Sequence, residues 1–247
     1  MKSRFWPVLN LLVVFATIFL SYYSNTGAIN GNTMGSLSNE YDNYFTPAGY
    51  AFSIWGLIYI GLIGNAIYLL RNTDKPTTKT QAIGLTVANL ANCTWVFLWL
   101  YEYTALSTLA MSVILIALIS LTVQLRVGFQ KQSLWVWWPI SIYAGWITVA
   151  IAANITAYLS KIGWNEILSE PNWALALIVI TTLIFTFLIL KRRLAYAGYV
   201  GVWALVAIAM KQWGEQTTIQ WLAIACAVLL SVQSVYKDYE YRTKVLA

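Results

Sequence analysis

Leu134-Trp-Val-Trp-Trp-Pro-Ile-Ser-Ile-Tyr-Ala-Gly-Trp-Ile-Thr-Val-Ala-Ile-Ala-Ala-Asn-Ile-Thr-Ala-Tyr-Leu159 runs for 26 residues without one charged side chain. About 20 predominantly apolar residues carry a helix across the ~30 Å hydrocarbon core of a bilayer. Backbone polar groups in lipid must be satisfied within the segment, so an unbroken apolar run of this length reads as a helix rather than a barrel strand. Similar runs lie at 6–23, 47–70, 82–101, 105–125, 173–190, 195–212 and 218–236. The 195–212 run is the weakest, because Lys211 near its end must snorkel to the interface. The spacing predicts an all-α membrane protein, a polytopic bundle of about eight transmembrane helices with no room for a soluble domain. Composition agrees: 60% of residues are apolar and 10% charged, against roughly 25% charged in an ordinary globular domain.

The distribution of charge supports the same count. With the N-terminus inside, one side carries Lys2, Arg4, Arg71, Lys75, Lys79, Arg126, Lys131, Lys191, Arg192, Arg193, Lys237, Arg242 and Lys244, which is 13 of the 15 basic residues. The other side has Lys161 and Lys211 beside Glu40, Asp42, Glu102, Glu166, Glu170 and Glu215. Such asymmetry is the positive-inside rule at work and predicts both termini in the cytoplasm. The Lys191-Arg192-Arg193 cluster reads as a topology anchor. The net charge of +6 is therefore not a nucleic-acid footprint, since no exposed basic stripe exists. Lys2-Ser3-Arg4 and the following apolar run resemble a signal peptide, but no small-x-small cleavage site follows, and a retained first helix is expected. A bacterial inner membrane is the default location, because the N-terminus lacks an organellar transit composition.

The spans hold essentially no ionisable group, so proton-coupled pumping and intramembrane proteolysis lose their usual machinery. There is no histidine, which removes the commonest metal ligand and general base. Cys93 and Cys226 lie in separate spans and read as small hydrophobes, not as a disulfide or metal pair. No metal site, obligatory cofactor or catalytic function is expected. The loop 24–46, rich in Gly, Asn, Ser and Thr, is long enough to be a functional lid or merely a tether.

What the spans do hold is aromatic rings and amides, with 13 Trp, 16 Tyr and 9 Phe in the chain. Trp6, Trp135, Trp137, Trp164, Trp173, Trp213 and Trp221 fall at span ends, where indoles prefer the headgroup level. Trp55, Trp95 and Trp146 lie deeper. In the fifth span Tyr143, Trp146, Ala150 and Asn154 share one helical face; in the third, Ala88, Asn92, Trp95 and Trp99 do so; in the second, Phe52, Trp55 and Tyr59. Buried Asn needs partners, so these faces should point into the bundle. An aromatic hollow with a few amides suits a flat, largely apolar ligand, while the same residues serve equally as packing between helices with no cavity.

These residues also carry a resemblance. Phe45-Thr-Pro-Ala-Gly-Tyr-Ala-Phe-Ser-Ile-Trp-Gly-Leu-Ile-Tyr59 is similar to the signature of the TspO/translocator-protein family, the tryptophan-rich sensory proteins, in which a Pro-Pro-x-Trp-x-Phe stretch leads into Val-Trp-x-x-Leu-Tyr. Asn92-Cys-Thr-Trp95 resembles that family's Leu-Asn-x-x-Trp in helix three. Tyr143-Ala-Gly-Trp146 with Ala150 and Asn154 resembles its Tyr-x-x-Trp, Ala and Leu-Asn pattern in helix five. The sequence departs at Ala48 (a second proline in the family), at Tyr50 (a tryptophan), in a Phe52-to-Trp55 spacing one residue short, at Ile142 (a proline) and in lacking the glutamine upstream of the helix-three Asn. The resemblance covers about residues 5–160 and implies a five-helix bundle over 1–160, with 161–247 as an additional three-helix extension.

By that resemblance the protein is a binding or sensory protein. Phe52, Trp55, Tyr59, Asn92, Trp95, Tyr143, Trp146, Ala150 and Asn154 would line or support a pocket capped by loop 24–46, with Ala150 giving the ligand room. The implied ligand is a porphyrin, haem-like tetrapyrrole or sterol-like molecule, held by ring stacking without axial ligation. Two alternatives stay open. One is a transporter of a neutral or amphipathic solute, with Asn65, Asn89 and Gln124 along its path; the other, more remote, is an enzyme using Trp55 and Trp146 as redox groups on a tetrapyrrole. Besides the lipid bilayer and a small apolar ligand, a homodimer is a candidate partner. The small-residue rows Ala144/Thr148/Ala152 and Ala223/Ala227/Ser231 would suit a helix contact within or between chains.

Overall fold

The computed structural model describes residues 4–164 and 168–243; Lys2, Ser3, Glu166 and Lys244 lie outside them. Among the described residues there are nine α-helices: α1 Phe5–Tyr23, α2 Met34–Glu40, α3 Ile54–Arg71, α4 Pro76–Leu100, α5 Thr104–Gln124, α6 Leu134–Lys161, α7 Glu170–Leu190, α8 Ala195–Lys211 and α9 Thr217–Tyr241. A 3-10 turn, Gly49–Ser53, leads directly into α3. Seven of these segments are long and apolar enough to cross a membrane. The eighth, α8, is apolar but has 17 residues, roughly 25 Å of helix, and corresponds to the span expected to be weakest. The protein is a multi-pass helical membrane protein.

Helices α1, α3, α6, α5 and α4 form a ring in which each packs on the next and α4 returns to α1. α3 and α4 stand on either side of α1 and barely touch each other, so side chains that join them must cross the interior of the ring. α6 is the helix most enclosed by protein, with 83% of its spanning window buried, because α8 packs on the side away from the ring and α7 and α9 pack on α8.

Glycine makes this second layer close. A Cβ on Gly145 of α6 would stand 2.9 Å from the Cα and carbonyl oxygen of Ala197 on α8. On α8, a Cβ at Gly198 would collide with Ser234 of α9, and one at Gly201 would stand 3.0 Å from the Phe185 ring of α7. Small residues at these crossings let backbones approach, which supplies the van der Waals contact that drives helix association in lipid. Ala144, Thr148 and Ala152, like Ala223 and Ala227, are buried within the single chain.

Loop 24–46 is more ordered than its composition suggests. Thr33 caps α2 by accepting from the Ser36 N–H at 3.0 Å, while the Thr33 N–H donates to Ser36 Oγ at 2.8 Å, a reciprocal capping box. Asn43 Oδ1 then accepts from the N–H groups of Phe45 and Thr46 at 3.0 and 3.1 Å, turning the chain toward Pro47.

Candidate functional site

Trp55 projects from α3 across the ring and meets rings from two other helices. Its centroid lies 6.4 Å from Trp95 of α4, nearly parallel at 22°, 5.8 Å from Tyr143 of α6 and 6.4 Å from Trp146, both edge-on. Tyr59, one turn along α3, stacks on Trp55 at 5.5 Å, and Phe52 in the 3-10 turn meets Trp146 edge-on at 5.8 Å. Tyr143 and Trp146 are fully buried; Trp55 and Tyr59 are half-buried, and Phe52 is 39% exposed. The three helical faces read from the sequence therefore converge on one interior.

The amides hold this interior in register. Asn92 Nδ2 donates to the Tyr143 hydroxyl at 2.9 Å, joining α4 to α6. Asn154 Oδ1 accepts from Trp95 Nε1 at 3.1 Å and from Ser107 Oγ at 2.8 Å, so one side-chain oxygen ties α6 to α4 and α5. Its Nδ2 turns back to the Ala150 carbonyl at 3.3 Å. The Trp146 Nε1 is buried with no hydrogen-bond partner among the described residues.

The expected hollow is occupied by the rings themselves: the offset stack of Trp55 on Trp95 leaves no gap for a third ring between them. The ring line continues from Trp95 to Trp99 at 6.4 Å and from Trp99 to Tyr41 in the loop at 6.2 Å. There the Tyr41 hydroxyl donates to Glu102 at 2.5 Å, and Lys161 lies 3.6 Å from the same carboxylate. The Tyr41 hydrogen bond, helped by the Lys161 charge, holds the Glu102 carboxyl below its ordinary range. Burial, reinforced by Glu102, pushes the Tyr41 phenol up.

Other groups close the same end of the ring. Asn30 and Asn32 donate to the Leu100 carbonyl at 3.0 and 3.2 Å. Lys211 of α8 pairs with Asp42, Gln212 Nε2 donates to the Tyr44 carbonyl at 3.3 Å, and the Ala48 N–H donates to the Ala207 carbonyl at 3.1 Å. Trp203 Nε1 donates to the Ala51 carbonyl at 3.0 Å. The loop before α3 is thus clasped by α8, which sequence reasoning about the pocket missed. A signal was present: Lys161 and Lys211 are the two basic residues set apart from all the others, and each has a carboxylate partner.

Of the amides considered for a transport path, Asn65 and Asn89 are buried on ring helices, whereas Gln124 ends α5 and is exposed. Among the belt tryptophans, Trp135, Trp164, Trp213 and Trp221 are exposed. Trp137 instead packs edge-on against Tyr196 at 4.8 Å.

No curated protein and no solved structure matches the chain. The family described as TSPO-like protein matches residues 7–236, a stretch that takes in all eight long helices, the clasping α8 included. A match over this much of the sequence places the chain in the TSPO-like family.

Proposed function

We propose that this protein is a membrane receptor that binds a flat, apolar ligand of the porphyrin or sterol-like class inside the five-helix ring, and that it is not an enzyme. The observation that carries the reading is Trp55 reaching across the ring to three aromatic partners at 5.8–6.4 Å. A flat guest replaces the Trp55–Trp95 stack with ring–guest stacks. Aromatic pairs are worth ~0.5–1.5 kcal/mol each beyond area burial, so this exchange is close to neutral and the area buried by the guest supplies the affinity. The five-helix unit within 1–160 holds the guest, and α8 of the 161–247 extension braces the segment that closes it. The end closed by loop 24–46 faces away from the cytoplasm, as the positive-inside rule requires, in a bacterial inner membrane.

In detergent, protoporphyrin should quench tryptophan fluorescence saturably. Trp146→Phe combined with Ala150→Leu, which adds bulk next to the rings that a guest must displace, should weaken binding about tenfold or more. Quenching that never saturates and ignores the substitutions overturns the reading. Illumination of the bound porphyrin should produce no turnover.

A second reading, transport of a neutral or amphipathic solute, is favoured by one observation. Asn10 and Asn89 are fully buried with both amide atoms unpartnered, and Asn65 Oδ1 and Gln81 Nε2 are likewise unpartnered. Buried polar groups are costly unless satisfied, and a hydrated path through the ring would satisfy them. Flux of the porphyrin into proteoliposomes decides between the readings, since binding without flux rejects transport.

A further inference from the structure

Outside the ring, at the end closed by the loop, a cavity of about 190 Å³ opens between the α6 C-terminus, the start of α7 and Asn43–Phe45. Its walls include four aromatic residues drawn from three parts of the chain: Tyr44, Phe45, Trp164 and Trp173. Unlike the rings inside the bundle, none of these four is in ring contact with another among the described residues; Phe45 is buried, and Tyr44, Trp164 and Trp173 are the rings that border the space. Among the described residues, Glu170 is the one charged residue in the wall, and no lysine or arginine lines it. The nearest cations are already engaged: Lys161 with Glu102 and Lys211 with Asp42. Glu170 has no ion pair among the described residues, and its full negative charge outweighs the roughly half-unit positive end of α7 on which it sits.

From this we infer a second binding site, for an organic ammonium group. Aromatic faces attract a cation through their quadrupole and favour one that sheds water easily, which is the principle of cages for choline and methylated amines. A lone carboxylate in the wall adds Coulomb attraction without a competing internal cation. The volume is that of about six waters at ~30 Å³ each, enough for a trimethylammonium group and the first atoms of its tether. The shared chemistry comes from two sources, a free choline-like amine or the headgroup of a choline phospholipid. The position beside Trp164 and Trp173, at the level where span-end indoles meet headgroups, is open to both.

The test is saturable binding of radiolabelled choline to the purified full-length protein in dodecylmaltoside, with tetramethylammonium as competitor. Glu170→Gln and, separately, Trp164→Leu should each weaken binding about tenfold, the scale of one partly screened charge pair or one ring of a cage. Protoporphyrin titration of the same variants should be unchanged, which shows that they fold and separates this site from the ring interior. Binding retained in phosphatidylglycerol nanodiscs but lost in phosphatidylcholine nanodiscs assigns the site to the lipid headgroup; binding retained in both assigns it to a free amine. Absence of saturable choline binding by the wild-type protein, or equal binding by both variants with normal porphyrin titration, overturns the proposal.

Discussion

Asn154 shows how much one amide does in a medium with no water to substitute for it. Its oxygen is the acceptor for both the Trp95 indole and the Ser107 hydroxyl, so Asn154→Leu removes two interhelical bonds and leaves the Trp95 indole unpaired inside the bundle, while Ser107 keeps the Thr104 carbonyl at 2.8 Å. Each buried orphan costs about 1–3 kcal/mol, moderated in membranes because the unfolded chain also finds partners. Asn92→Leu removes a single bond to Tyr143. Unfolding of the two variants in mixed detergent micelles should therefore show Asn154→Leu as the more destabilised. Glu102 gives a prediction in pH. Its folded-state pKa is depressed, by the Tyr41 hydrogen bond first and by Lys161 as well. The stability it lends is then present above the unfolded value of about 4.3 and is lost as pH falls through the lower folded value. Hydrogen exchange of residues 24–46 should accelerate only under such acid conditions, and Tyr41→Phe should move the onset to higher pH. At this scale the sequence was a good guide to the rings and amides inside the bundle. Helical spacing alone aligns Tyr143, Trp146, Ala150 and Asn154. It could not show that Trp55 and Trp95 occupy the space between them, since side-chain volume across three helices has no signature in any one of them.

The helices differ in how their close contacts would tolerate change, and the glycines of the second layer make the difference measurable. At Gly198 an added methyl meets side-chain ends, Ser234 Oγ and the tip of Ile189; at Gly145 it meets the Ala197 backbone at 2.9 Å. Overpacking typically costs about 1–3 kcal/mol. Gly198→Ala should be partly relieved by a second change, Ser234→Gly, with the Ile189 contacts at 2.6 and 2.7 Å remaining, whereas Gly145→Ala should have no such rescue. Thermal unfolding of the single and double variants checks the contrast. The long helices were legible because apolar length is a strong signal. α2 was not, because seven residues carry too little periodicity, and its one marker, Thr33 answered three positions later by Ser36, uses serine where the familiar capping box has Glu or Gln.

Over the whole molecule, α8 couples the two helical layers through the segment that precedes α3. Trp203, Ala207, Lys211 and Gln212 hold successive points of the segment from Asp42 to Ala51. Trp203→Phe together with Lys211→Ala removes an indole donor and a charge partner while leaving the ring untouched. Limited proteolysis of that variant should cut within 40–50 several times faster than in the wild type, with cleavage elsewhere unchanged. Charge asymmetry in the sequence set Lys161 and Lys211 apart from the other basic residues. Beyond the Lys211–Asp42 pair, the clasp was not legible, because its other bonds join residues some 150 positions apart through backbone carbonyls, which leave no compositional trace.

The line of rings from Tyr143 through Trp55, Trp95 and Trp99 to Tyr41 has an optical corollary. Transition dipoles this close exchange excitation before they emit, so a photon absorbed by any indole in the line is shared among all of them. A guest that intercepts the excitation at one point darkens the whole series. The depth of quenching at saturation then reports the connected chromophores as well as the residues in contact with the guest, and replacing Trp55 by a non-aromatic residue should weaken the coupling of Trp146 to Trp95 and Trp99.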